Sequence, residues 1–149
     1  MSTSFEQLDL RPELRDALEQ TGYAAMTPIQ AEALPLMLGG HDLIGQAQTG
    51  SGKTAAFGLA LLQSIEPDMM RVQALVLCPT RELADQVSQE MRRFAQRMEN
   101  LRVLTVCGGR PHRDQVRALE RGTHVVVGTP GRIKKHLSEG NLNLKRLKV

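Results

Sequence analysis

Residues 45–54 read Gly-Gln-Ala-Gln-Thr-Gly-Ser-Gly-Lys-Thr. A short strand is predicted at the start of this stretch, over 42–46, and an apolar helix after it, over 54–65. Glycines at positions 50 and 52 allow the backbone to wrap so that successive N–H groups point inward, and the helix N-terminus adds its positive end. A strand, a glycine-rich loop and a helix in this order predict a phosphate-binding loop.

The same stretch fits the P-loop template as Ala47-x-x-x-x-Gly52-Lys53-Thr54, with alanine where the strict pattern has its first glycine. Lys53 can reach the terminal phosphates of a nucleoside triphosphate, and the Thr54 hydroxyl is suited to bind Mg²⁺. Lys53 and Thr54 are therefore the candidate catalytic residues, and Thr54 is also the candidate metal ligand. The loop residues predicted to hold the nucleotide with them are Ala47, Gln48, Thr49, Gly50, Ser51 and Gly52. The alternative is a glycine-rich turn with an incidental lysine, which the flanking strand and helix disfavour.

Helix and strand signals alternate along the rest of the chain. Helices are predicted over 12–20, 28–38, 80–99, 111–121 and 130–139, and Pro35 is expected to kink or shorten the second of them. Strands are predicted over 72–77, 103–106 and 124–127. The first of these, VQALVL, is the apolar run typical of a strand covered on both faces. This alternation predicts an α/β fold with a doubly wound parallel sheet flanked by helices.

Length and composition exclude several protein classes. The 149 residues allow one domain, and 41% hydrophobic with 23% charged residues exclude a disordered tail, a collagen-like fibre and a coiled coil. No window approaches the roughly 18 apolar residues of a membrane span, and the first residues lack a signal-peptide pattern. Cys78 and Cys107 are expected to be buried thiols, which favours a reducing, cytoplasmic location.

The net charge of +3 conceals an asymmetry. Residues 1–70 contain three Lys/Arg against nine Asp/Glu, a net −6, whereas residues 71–149 contain 16 basic against seven acidic residues, a net +9. The second part of the chain could therefore face a polyanion, although a lopsided solvated surface would give the same count.

Three further loops are predicted at strand ends, where open parallel sheets bind their ligands. They are CPTREL at 78–83, CGGRPH at 107–112 and VGTPGR at 127–132. All three lie in the basic part of the chain. Together with the glycine-rich loop they indicate that this edge of the sheet binds the ligands.

The motifs, in their order and spacing, resemble those of the DEAD-box RNA helicases over the whole chain. Residues 22–30 (GYAAMTPIQ) resemble the Q motif, with Phe5 where the family has an upstream aromatic and Met26 where it usually has proline. Residues 47–54 resemble motif I and 79–84 (PTRELA) motif Ia. Residues 108–109 resemble the GG element and 129–132 (TPGR) motif Ib.

The resemblance implies that ATP, with Mg²⁺, is the cofactor. The Gln30 amide offers the donor and acceptor that the N6/N7 edge of adenine requires. In the family Tyr23 would stack on the base and Phe5 would support the loop, with Thr27 in the same motif. Ordinary core filling is the alternative for Tyr23 and Phe5.

The resemblance also implies that RNA is the partner of the other loops. Small side chains and bare amides at helix starts bind a sugar-phosphate backbone without reading bases, so binding should be salt-sensitive and largely independent of sequence. Surface ion pairs are the alternative for single arginines. The candidate RNA-binding residues are Pro79, Thr80, Arg81, Gly108, Gly109, Arg110, Thr129, Pro130, Gly131 and Arg132.

The fold implied is a RecA-like P-loop NTPase, with 1–149 as the N-terminal portion of helicase domain 1. Residues 1–40 would form the Q-motif region and 41–149 the P-loop βα core. The strands of the DEAD and SAT motifs are absent from these residues, so the sheet is expected to be incomplete and the chain marginally stable. We expect negligible RNA-stimulated ATPase activity from the chain alone.

The parent protein is expected to be an RNA-dependent ATPase that unwinds short RNA duplexes. The alternatives are a non-catalytic ATP- and RNA-binding module and another P-loop ATPase. The sequence LVLCPTRELADQV, followed by CGG, resembles that of bacterial members, among them the DbpA-like group that acts on large-subunit ribosomal RNA. A role in ribosome biogenesis, a monomeric state and no membrane association are the corresponding expectations.

Overall fold

The structure is a computed structural model that describes residues 3–149. The chain forms two compact units. The first comprises Met1–Ser64 together with Arg93–Met98, and the second comprises Ile65–Arg92 together with Glu99–Val149.

The first unit is helical. After a short 3₁₀ helix at Phe5–Gln7 come α1 (Pro12–Thr21), α2 (Pro28–Leu38) and α3 (Lys53–Ser64). Helix α2 continues through Pro35, so the proline does not shorten it and the helix only forgoes the backbone hydrogen bond that the Pro35 nitrogen cannot donate. Helices α2 and α3 pack on each other. The core of this unit includes the fully buried side chains of Leu14, Leu34, Leu59, Leu62 and Phe94.

The strand predicted over 42–46 is not formed, and that prediction was wrong. Residues 41–48 have no regular secondary structure, and the side chains of Leu43 and Ile44 are 41% and 99% exposed. A β-strand is stabilised by hydrogen bonds to a neighbouring strand, and no strand that the structure describes pairs with these residues. An apolar stretch without a partner therefore stays extended and irregular.

The second unit has the predicted α/β architecture. Its elements are β1 (Ala74–Leu77), α4 (Arg81–Phe94, of which the last two residues belong to the first unit), β2 (Val103–Val106), α5 (His112–Arg121), β3 (Val125–Gly128) and α6 (Pro130–Ser138). The strands form a parallel sheet in the order β1-β3-β2, in which Val125 is opposite both Ala74 and Val103. A parallel sheet flanked by helices confirms the fold class.

The core of the second unit surrounds its central strand. The central strand β3 is buried along its whole length, as expected of the valine-rich run 125–127. The surrounding apolar cluster comprises Val72, Val106, Val126, Ile133 and Leu142.

Helix α4 ends earlier than predicted, at Phe94 rather than at residue 99. An i→i−3 hydrogen bond from Met98 N–H to the Ala95 carbonyl replaces the α-helical pattern there. Four apolar residues at helical spacing are nevertheless all buried, namely Val87, Met91, Phe94 and Met98.

The outer edge of β1 carries the last two residues of the chain. The N–H groups of Lys148 and Val149 donate to the Gln73 carbonyl (2.7 and 3.2 Å), and Leu75 N–H donates to the Val149 carbonyl (3.0 Å). Part of this edge is therefore already paired. None of the helices in residues 3–149 is both long and apolar enough to cross a bilayer.

Candidate nucleotide loop and nucleic-acid groove

The glycine-rich loop of the first unit is shaped by two glycines with left-handed backbones. Gly50 and Gly52 have φ of +80° and +90°, a region that favours glycine. A Cβ on Gly52 would also overlap the side-chain amide of Gln30. The Lys53 ammonium folds back over the loop and donates to the carbonyls of Ala47 and Gln48, the latter at 2.8 Å.

The loop fits a triphosphate chemically. The Ser51 hydroxyl is buried, and no group in the described part of the chain forms a hydrogen bond with it. The first turn of α3 begins at Lys53, so its N–H groups have no partner within the helix. The half-buried Thr54 hydroxyl makes no hydrogen bond within residues 3–149. These groups, with the Lys53 ammonium, form a set of donors around one short loop.

The Q-motif segment is bonded directly to this loop. Thr27 Oγ1 donates to the Ser51 carbonyl (2.7 Å), and Gln30 Nε2 donates to the Gly52 carbonyl (3.1 Å). Gln30 Oε1 accepts from Thr27 N–H (3.0 Å), and the whole Gln30 side chain is buried. Each amide atom therefore has one protein partner and retains a second N–H or lone pair, but the side chain is buried, so a base could reach it only if the neighbouring residues moved.

The two aromatic candidates pack into a small aromatic cluster of the first unit. The Tyr23 ring makes edge contacts with Phe5 at 6.2 Å and with Phe94 at 5.5 Å between centroids. Phe5 is buried and Tyr23 is half-buried. The contact between the two rings agrees with the prediction that Phe5 supports Tyr23. It agrees equally with the alternative that both residues fill the core.

In the second unit the three predicted loops line one groove. They follow the C-terminal ends of β1, β2 and β3, and the open groove between them has a volume of about 500 Å³. Of the candidate residues, Gly109, Arg110 and Pro130 belong to these loops without lining the groove. Its lining residues are Pro79, Thr80, Arg81, Glu82, Gly108, Thr129, Gly131 and Arg132.

Backbone hydrogen bonds between the strand ends hold the loops in place. Cys78 N–H donates to the Gly128 carbonyl (2.8 Å), and Thr129 N–H donates to the Val106 carbonyl (3.0 Å). A side chain on Gly128 would overlap that same Val106 carbonyl. Thr80 Oγ1 accepts from Leu83 N–H (3.2 Å) and so caps α4.

The arginines of the groove are anchored by carbonyl groups. Arg81 donates to the Gly108 carbonyl (3.5 Å), and Arg132 donates to the Arg110 carbonyl (3.2 Å). A guanidinium has five N–H donors, so both side chains retain donors for an anion. Arg110 instead forms an ion pair with Asp85, and the acidic Glu82 lies in the groove wall.

Two buried polar residues beneath the groove were missed from the sequence. Gln115 Nε2 donates to the Cys107 carbonyl (3.0 Å), and its Oε1 accepts from Arg132 (3.3 Å) and from His136 Nε2 (2.7 Å). The signal that could have found Gln115 is its position four residues before Leu119, where helical spacing turns a polar side chain toward the core.

His136 belongs to a stacked pair of histidines. Its ring lies parallel to that of His112, with centroids 4.3 Å apart. Burial lowers the pKa of His136, and the neighbouring charges of His112 and Arg132 lower it further. The His112 Nε2 contacts a Glu139 carboxylate oxygen at 2.7 Å, and this hydrogen bond holds the pKa of Glu139 below its ordinary value.

Comparison with known families agrees with these motifs. Residues 27–149 match the profile described as DEAD/DEAH box helicase. This chain belongs to the DEAD/DEAH box helicase family. The match includes the glycine-rich loop and all three loops of the groove.

Relatives within this family are similar over nearly the whole chain. The chain is 51% identical to the ATP-dependent RNA helicase DbpA of Escherichia coli K12, covering 97% of the chain and 32% of DbpA. It is 48% identical to the ATP-dependent RNA helicase DeaD of the same strain, covering 97% of the chain and 23% of DeaD. The chain thus spans about a quarter to a third of these relatives.

Solved structures of the family have the same fold. A DEAD box protein from Methanococcus jannaschii superimposes with a TM-score of 0.91 at 37% identity, covering 97% of the chain and 39% of that protein. The Dbp5 protein of S. cerevisiae, bound to RNA and ADP BeF3, gives a TM-score of 0.85 at 29% identity. This second match covers 98% of the chain and 37% of Dbp5.

Proposed function

We propose that this chain is the ATP- and RNA-binding part of an ATP-dependent RNA helicase that unwinds short RNA duplexes. The observation that carries the proposal is the groove of the second unit, which joins residues from three separate loops that share one basic rim. The relatives named as RNA helicases and the RNA-bound Dbp5 structure support the same substrate class.

The groove is suited to a phosphate backbone rather than to bases. Its lining combines two arginines with glycines and threonines at helix starts, where backbone N–H groups attract anions. The residues that line the groove include no asparagine or glutamine, whose amide would pair with an adenine edge. We therefore assign Thr80, Arg81, Gly108, Thr129, Gly131 and Arg132 to sequence-independent contacts with RNA.

The glycine-rich loop is assigned to ATP. When bound, ATP and Mg²⁺ supply the phosphoryl group and the charge neutralisation on which hydrolysis depends. Lys53 would leave the Ala47 and Gln48 carbonyls to neutralise the terminal phosphates, and Thr54 would provide the metal ligand. Gln30, Tyr23 and Thr27 would hold the adenine, with Phe5 behind Tyr23.

RNA affinity measured against salt tests the groove. We expect Arg81→Ala to weaken binding of a fluorescent single-stranded RNA by about tenfold, the effect of losing one phosphate contact of ~1.4 kcal/mol. The slope of log affinity against log salt should fall by about 0.7.

Arg117→Ala is the matched control. Arg117 is an exposed arginine of α5 outside the groove, so its removal changes the net charge equally. The groove does not bind RNA if the wild-type chain shows no RNA binding, or if Arg81→Ala and Arg117→Ala lose the same amount of RNA affinity.

A non-catalytic ATP- and RNA-binding module is the second candidate for these 149 residues taken alone. Phosphoryl transfer requires a positioned water and a second hold on the metal, which the described loop does not provide. We expect no RNA-stimulated ATP hydrolysis from the chain alone. Four statements stay predictions: that Thr54 binds Mg²⁺, that the RNA is ribosomal, that the protein is a monomer and that it is cytoplasmic.

A further inference from the structure

Gln115 lies at the junction of two loops of the groove without entering the groove itself. Its side chain is only 3% exposed, yet all its hydrogen-bonding contacts are to polar groups of other elements. It joins the end of β2, through the Cys107 carbonyl, to Arg132 at the start of α6. An amide has both a donor and an acceptor, and here each faces a partner that requires it.

His136 fixes which way the Gln115 amide points. His136 Nδ1 lies 3.3 Å from Asn141 Nδ2, which can only donate, so Nδ1 accepts and Nε2 carries the proton. That proton is donated to Gln115 Oε1. Burial lowers the pKa of His136 and so favours this neutral form. The Gln115 Nε2 group is thereby directed at the Cys107 carbonyl, and Oε1 at Arg132.

Arg132 has no carboxylate partner in the described residues. Its two hydrogen bonds are to the Arg110 carbonyl and to Gln115 Oε1, both neutral acceptors. Neutral acceptors orient a guanidinium without cancelling its charge, so the full positive charge stays directed at the groove. An ion pair, such as the one that Arg110 forms with Asp85, would reduce that charge.

We propose that Gln115 is a positioning residue for RNA binding, which holds Arg132 in the orientation that contacts a backbone phosphate. The inference rests on the proposed function of the groove. Gln115 acts through Arg132, so its contribution to RNA affinity should depend on Arg132 being present.

A double-mutant cycle tests this dependence. Gln115→Met keeps the length of the side chain and removes its hydrogen bonds, and Arg132→Ala removes the guanidinium. We expect each to weaken binding of a fluorescent single-stranded RNA by about five- to tenfold. The double variant should bind no more weakly than Arg132→Ala alone, and Gln115→Met should lower the salt slope by about 0.7, as Arg132→Ala does.

Gln89→Met is the matched control, because Gln89 is an exposed glutamine on α4 outside the groove. It should leave both the affinity and the salt slope unchanged. Thermal melting of every variant shows whether it is folded. If Gln115→Met does not fold, Gln115→Asn provides the same test, since it is one methylene too short to join Arg132 to the Cys107 carbonyl.

The outcomes separate this inference from the proposed function. If the wild type and Arg132→Ala bind RNA equally, the assignment of the groove to RNA binding is wrong. If Arg132→Ala weakens binding but the effects of the two substitutions multiply, or Gln115→Met leaves the salt slope unchanged, Gln115 has only a structural role and the inference is overturned.

Discussion

The glycine-rich loop of the first unit and the groove of the second unit differ in how they are held. The groove is formed by loops that follow paired strands, and inter-strand backbone hydrogen bonds fix the strand ends at Cys78 and Thr129. The glycine-rich loop follows residues 41–48, which pair with no strand that the structure describes. It is held instead by side chains, namely Thr27, Gln30 and Lys53 bonding to loop carbonyls.

This difference indicates how each of the two proposed phosphate sites depends on its scaffold. A groove on a paired sheet is organised before its ligand arrives, because the backbone ladder sets the positions of the loops. A loop on an unpaired segment relies instead on a few polar side-chain contacts. We therefore expect the groove to depend on strand packing and the glycine-rich loop to depend on a few side-chain contacts.

The largest effect on stability is expected from Gly128→Ala, which disrupts the packing within the sheet. The new methyl group would overlap the Val106 carbonyl and the Ile133 side chain. A backbone carbonyl inside a sheet cannot move aside, so the free energy of unfolding should fall by about 3 kcal/mol in urea denaturation. RNA affinity should fall with it.

Gly131→Ala is the control for this substitution. Nothing lies within 4 Å of a Cβ at that position, which is in the first turn of α6. Its stability should be unchanged or slightly raised, because alanine favours a helix over glycine. If Gly128→Ala were as stable as Gly131→Ala, the strand packing described for the groove would be incorrect.

A smaller effect is expected from Gly52→Ala in the glycine-rich loop. Alanine at a φ of +90° costs about 1–2 kcal/mol, and its methyl group would also displace the Gln30 amide. The variant should lose ATP binding, measured as the rise in melting temperature on adding Mg·ATP. Gly50→Ala has the same backbone strain without the overlap, so it should retain more of that rise; equal loss would show that Gln30 is not involved.

The smallest effect is expected from pH. Folded His136 resists protonation because its pKa is lowered, whereas the unfolded chain has the ordinary value near 6.5. Unfolding therefore takes up a proton below that value, so stability is present above pH 6.5 and is lost as the pH falls. Between pH 7 and 5.5 the melting temperature should therefore fall, by no more than the few degrees that one titrating group can contribute.

His136→Gln isolates that contribution. The substitution removes the titrating group, so its melting temperature should depend less on pH in the same window, whatever its absolute stability. Glu139 also has a lowered pKa, but the stability it contributes is lost only as the pH falls below about 4.5, which lies outside the window. An unchanged pH slope for His136→Gln would contradict the assignment.

Much of the fold was predictable from local sequence signals. Pro12, Pro28 and Pro130 begin helices, and the valine run at 125–127 forms the buried central strand. The absence of a strand over 42–46 was not predictable, because these residues have the local pattern of a strand and only the lack of a neighbouring strand in the described residues decides against it. The site shows the same division. The motif residues of the groove were found by their glycines and arginines, but Gln115 and His136 stand in no motif and become visible only when α5 packs beneath the loops.

The sequence by itself determined the chemistry of this protein: a glycine-rich loop ending in Lys53 and Thr54, and three basic loops at strand ends, each specified by residues close together in the chain. The tertiary structure alone decided which of those loops are held by a sheet and which buried amides orient them. Register, strand order and buried hydrogen bonds join residues far apart in sequence, so no local pattern contains them. The link between Gln115 and Arg132, 17 residues apart, exists only once β2 and β3 lie side by side.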